Sequence, residues 1–146
     1  MLRMKQVQKI TLHHTNSNPF YPYSIKERLI SLAEFHTQDR GWGDIGYHYL
    51  VSGKGEIFEG RSKFFQGAHV ESFNDANIGV AVIGDFNIEK VSNQLKVSLT
   101  ILLTELIAEY KLERTDVLGH REYLDKLPGS CPGDFLFKFL KGFRDE

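Results

Sequence analysis

Asn77-Ile78-Gly79-Val80-Ala81-Val82-Ile83-Gly84-Asp85-Phe86 is the stretch on which the fold turns. From Ile78 to Phe86 it is a run of valine, isoleucine and glycine. Such a run reads as a buried strand in the middle of a sheet, covered on both faces.

Working outward, Val7 to His14 is a second strand rich in β-branched and apolar side chains. Thr15 to Tyr23 holds Asn16, Asn18, Pro19 and Pro22 and reads as a loop. Ser24 followed by Glu27 has the form of a capping box. Ile25, Leu29, Leu32, Ala33 and His36 then recur at helical spacing, which predicts a helix from Ser24 to about Asp39. Tyr47–Ser52 and Glu56–Gly60 flank the turn Gly53-Lys54-Gly55, a hairpin pattern. Downstream, Ser92 caps a long helix with Leu95, Leu99, Leu102, Leu106 and Tyr110 along one face. A short strand is expected at Asp116–Leu118, and a last helix from Pro132 to about Leu140. Strands alternating with helices imply an α/β domain, a mixed central sheet flanked by helices.

A chain of 146 residues, 41% hydrophobic and 25% charged, suits a single domain spanning 1–146. The formal net charge of −1 gives no general pull toward nucleic acid, and no nucleic-acid partner is expected. No apolar run is long enough to span a membrane. Met1 to Gln6 lacks the apolar core of a secretory signal. Cys131 is the only cysteine, so no internal disulfide can form, which fits folding in a reducing compartment.

Six histidines and that cysteine are the residues with chemistry to offer. His13 and His14 end a strand, where neighbours point to opposite faces, so only one of them can serve a given site. His120 follows the short strand, and Cys131 follows the turn Pro128-Gly129-Ser130. Two imidazoles and a thiolate suit zinc, with a fourth position left for water. Spacing alone is a modest signal, since no CxxC pair or HExxH helix is present. A thiol protease with Cys131 as nucleophile and His120 as base stays open, as does a buried, inert Cys131.

Four segments in order add a further observation: Ile10-Thr11-Leu12-His13-His14-Thr15, Gly41-Trp42 through Gly46-Tyr47-His48-Tyr49-Leu50-Val51, Asn77 to Phe86, and Gly119-His120-Arg121-Glu122 followed by Cys131-Pro132-Gly133. Together they closely resemble the type 2 N-acetylmuramoyl-L-alanine amidases, the superfamily of peptidoglycan recognition proteins and small phage lysozymes of the amidase type. The resemblance covers about residues 7 to 141. It implies Zn2+ held by His13, His120 and Cys131, with Tyr47 as catalytic tyrosine. It also implies hydrolysis of the amide between N-acetylmuramic acid and L-alanine in bacterial peptidoglycan. His69 matches a position lining the substrate cleft, although an ordinary loop histidine is nearly as good a reading. Asn77 either holds a loop or contacts the peptide stem, and His14 is read as supporting the site or as structural. His36 and His48 are read as packing histidines.

The chain departs from the phage pattern at Gly129, where a catalytic lysine often stands two residues before the cysteine. Lys126 is the nearby cation that would replace it, and a solvated loop lysine is the plainer reading. Active relatives without that lysine exist, and others bind peptidoglycan without cutting it, typically after losing the cysteine. The resemblance and the short chain imply a phage or prophage endolysin, monomeric, made in the host cytoplasm and released to the wall. Some small phage amidases also bind an RNA polymerase; no residue of this sequence points to that partner.

Overall fold

The computed structural model describes residues 1–20, 23–41, 43–124 and 127–146. At its centre is a five-stranded sheet made of β1 (Lys9–His14), β2 (Tyr49–Val51), β3 (Ile57–Glu59), β4 (Asn77–Val82) and β5 (Val117–Gly119). The strand order is β3-β2-β4-β1-β5, with β2, β4, β1 and β5 parallel and β3 antiparallel at one edge. β4 is buried along its whole length, as its apolar run requires.

The alternation of β4 sorts the molecule into two sides. Ile78, Val80 and Val82 join Ile10, Leu12, Val51 and Val117 in the main core. Helix α2 (Asn93–Tyr110) and helix α3 (Asp134–Asp145) cover that side. They contribute Leu95, Leu99, Leu103, Leu136 and Leu140, all inaccessible to solvent. On the other side, Asn77, Gly79 and Ala81 lie level with Lys9, Thr11 and His13 of β1. These small or polar residues leave room for a site. Helix α1 (Ile25–Glu34) packs there through Ile25, Leu29 and Leu32 on Ile45, Leu50 and Ile83.

Both predicted N-caps are present: Ser24 Oγ accepts from Glu27 N–H, and Ser92 Oγ from Leu95 N–H. The first helix is not α-helical to its end. Phe35–Asp39 is a π-helical turn, with Arg40 N–H bonded to the Phe35 carbonyl at 3.0 Å. The central strand stops at Val82 rather than Phe86, because Gly84 takes a φ of +143° that ends the extended run. β5 begins one residue later than expected, at Val117, because Arg114–Asp116 closes a 3-10 turn first. α3 starts at Asp134, two residues past Pro132, and runs on to Asp145 because Phe143 extends its apolar stripe into the core. β2 begins at Tyr49, so Tyr47 and His48 precede the strand instead of belonging to it.

Candidate metal centre

His13 sits on the small-residue side of the sheet and is 1% exposed. His120 is the residue directly after β5, where a 3-10 turn begins. Cys131 lies in the loop that leads into α3. Ligand-capable atoms of these three residues all lie within 4.8 Å of one another, the one such cluster among the described residues. His13 Nδ1 is 3.6 Å from Cys131 Sγ, and the His13 and His120 rings meet edge to face at 4.7 Å. This set can hold a metal ion. It leaves His14 out, because the pleat turns that ring to the core side, where its Nδ1 accepts from Phe86 N–H at 3.1 Å.

Electrostatics at the site follow from burial. It holds His13 well below the ordinary imidazole value, helped by the neighbouring His69, His120 and His14 rings. His120 is lowered by burial as well. Both rings are therefore neutral at pH 7, with lone pairs available. Burial pushes the Cys131 thiol up to about 12. The Tyr47 phenol is pushed well up too, first by burial and then by the Cys131 charge, so it stays protonated at neutral pH. Tyr47 brings its ring to 5.2 Å from that of His13.

The remaining predicted residues take supporting places. His69 is buried, and its Nδ1 meets His13 Nε2 at 2.9 Å, so it stands behind a candidate ligand. Asn77 is 1% exposed; its Oδ1 accepts from Thr11 Oγ1, and its Nδ2 donates to the Phe73 carbonyl and Tyr123 Oη. Of the two readings of Asn77, the loop-holding one is the one its bonds support. In this structure His69 and Asn77 are buried with their polar atoms bonded within the chain, and His14 is buried with its Nδ1 bonded to Phe86 N–H. Lys126 lies outside the described residues. Gly129, where the lysine would stand, donates its N–H to Asp134 Oδ1 at 2.9 Å.

Other residues that brace the site carried no sequence signal of their own. Arg121 is buried beside its neighbour His120 and holds the cysteine loop. Its N–H donates to the Cys131 carbonyl, and its Nη2 reaches the Ser130 carbonyl at 2.6 Å and Asp134 Oδ1 at 2.9 Å. Its place within Gly119-His120-Arg121-Glu122 was the hint available. Arg61 is buried too, and its guanidinium donates to the carbonyls of Asp44, Ile45 and Gln66. It thereby ties the segment before Tyr47 to the one before His69. His36 accepts Gly46 N–H on Nδ1 at 2.9 Å, so the π-helical turn fixes the residue next to Tyr47.

A sequence model of the family described as N-acetylmuramoyl-L-alanine amidase matches residues 3–134. This chain belongs to that family. Among curated relatives, the amidase-family chain is 33% identical over 132 residues to peptidoglycan-recognition protein LB of Drosophila melanogaster, across 88% of its own length and 55% of the relative's. It is 32% identical over 135 residues to the N-acetylmuramoyl-L-alanine amidase of Sus scrofa, across 89% of its length and 22% of the relative's. It thus spans about half or less of these two relatives. Among solved structures, the amidase LysC from Clostridium intestinale URNW superposes with a TM-score of 0.76 at 33% identity, covering 94% of this chain and 84% of that one. Drosophila PGRP-LB superposes with a TM-score of 0.77 at 29% identity, covering 93% and 81%.

Proposed function

We propose that this family member is a zinc-dependent amidase that cuts the bond between N-acetylmuramic acid and L-alanine in bacterial peptidoglycan. The observation that carries the reading is the convergence of His13, His120 and Cys131. Tetrahedral zinc with bonds of about 2.0–2.1 Å to nitrogen and about 2.3 Å to sulfur separates the two ligand atoms by about 3.6 Å. His13 Nδ1 and Cys131 Sγ stand 3.6 Å apart. Two nitrogens and one sulfur also fit zinc better than magnesium or calcium, and three protein ligands leave a position open.

The bound ion would supply Lewis-acid polarisation of the amide carbonyl and a water acidified to a pKa of about 7. Within the chain itself, neutral His13 and His120 present lone pairs without first losing a proton. Tyr47, kept as a phenol by burial, donates a hydrogen bond to the oxygen on which negative charge develops. A groove of about 370 Å³ opens at Thr15, two residues beyond His13. Its floor of Leu29, Leu32 and Ile83 suits the methyl groups of alanine, and Arg28 at its side suits an acidic group on the stem peptide. We further assign the chain to lysis of the cell from within, made in the cytoplasm as a monomer and released to the wall. The kinship with an amidase described as an endolysin supports the lytic role in that assignment.

Incubation with purified peptidoglycan tests the reading. Mass spectrometry should find stem peptides with free L-alanine amino termini, and a chelator should stop their release. New reducing sugar ends would identify a glycosidase. Binding without cleavage by the zinc-loaded protein would leave a recognition domain. Cys131→Ser should lose zinc and cleavage together.

A further inference from the structure

His13 can present Nδ1 to an ion only if its proton resides on Nε2, and imidazole in water exchanges between the two tautomers. The chain contains a device that removes this choice. His69 Nε2 lies 3.1 Å from the Asn77 carbonyl oxygen. A carbonyl only accepts, so His69 carries its proton on Nε2, and its Nδ1 is left as an acceptor. His69 Nδ1 is 2.9 Å from His13 Nε2, so His13 must donate there. The lone pair of the neutral His13 ring then falls on Nδ1, the atom facing Cys131 Sγ at 3.6 Å.

The ring that transmits this order has no freedom to turn. A Cβ on Gly79 would stand 2.7 Å from His69 Cγ and 2.9 Å from its Nδ1. A Cβ on Gly67 would stand 2.6 Å from His69 Cδ2. Both approaches are closer than side-chain carbons tolerate, so His69 lies flat against two glycine backbones. The loop that carries it is pinned as well: Asn74 Oδ1 accepts the N–H groups of His69 and Val70 at 2.8 and 2.7 Å.

We infer that His69 is a positioning residue, relaying the Asn77 backbone carbonyl to His13 and locking the tautomer that exposes Nδ1 to the metal position. The inference rests on the zinc reading for its purpose, but the tautomer order stands without any ion. Outer partners of this type typically contribute about tenfold to a hundredfold in metal affinity. Glutamine can take the same two bonds, with its amide oxygen accepting from His13 and its amide nitrogen donating to Asn77. A leucine can take neither.

The test uses the full chain labelled with nitrogen-15 histidine. Long-range nitrogen–proton spectra of the metal-free protein should give His13 the pattern of a proton on Nε2. In His69→Leu, His13 should show both tautomers, and zinc affinity, read by competition with a chromophoric chelator, should fall about tenfold to a hundredfold. His69→Gln should restore affinity to within a few-fold of the parent. A proton on Nδ1 of His13 in the parent protein overturns the relay, as does undiminished zinc affinity in a folded His69→Leu. A parent that binds no zinc would sink the proposed function instead, and the metal-free spectrum would still decide the relay.

Discussion

Replacing Tyr47 by phenylalanine removes one oxygen and leaves the ring that packs near His13 and His36. If the phenol stabilises developing charge, hydrolysis should fall by about 10²- to 10³-fold. Zinc content should hold, because Tyr47 is not among the clustered ligands. Turnover of soluble muropeptide beside metal analysis checks both halves; activity near the parent level would reduce Tyr47 to packing. The effect of Cys131→Ser should be of a different kind, since it takes away one of three candidate ligands. Zinc affinity should then fall by more than the roughly tenfold to hundredfold that loss of an outer partner costs.

Elements on the core side should answer mutation in stability and not in chemistry. Leu103 lies on α2, inaccessible to solvent, with the sheet between it and the candidate metal centre. Leu103→Ala should cost about 2–5 kcal/mol in unfolding free energy while zinc affinity of the folded protein stays put. Ser92→Ala removes the acceptor for Leu95 N–H at the start of the same helix and should cost about 1 kcal/mol. Urea unfolding with and without zinc distinguishes these losses from a loosened site. The π-helical turn at the end of α1 behaves otherwise, because it carries His36 to Gly46 and so adjoins Tyr47.

Across the whole molecule, acid should undo the fold through its histidines. His14, His36 and His48 each accept a backbone N–H on Nδ1, from Phe86, Gly46 and Gly79. Only the neutral ring can do so. Burial is the leading cause that lowers each of them, taking His36 to about 4, and it takes His69 to about 3. The same side chains in the unfolded chain take up protons near pH 6.5, as free imidazole does (about 6.5). The unfolded state therefore binds more protons below that pH, and stability falls as pH falls. The contribution should be complete above about pH 6.5 and be lost progressively toward about pH 4 and below. Urea midpoints of the metal-free protein should drop steadily from about pH 7 to about pH 4.5; a flat profile over that window rules the explanation out.

The order of elements, the two serine caps, the buried central strand and the leucine face of α2 were legible in the chain, because they depend on neighbours within a few residues. So was the family, because its motifs are contiguous words. The pleat rule stated that His13 and His14 could not share a site, yet spacing could not choose between them. The sheet's packing made that choice by burying Ile10, Leu12 and His14 on the side covered by α2 and α3. Tertiary structure alone brought His13 to Cys131 across 118 positions of sequence. It alone set His69 against His13 and Asn77 against Thr11, and brought Arg121 and Arg61 to the loops they brace. Those roles depend on which carbonyls and rings meet after folding, and no local pattern of side chains records that.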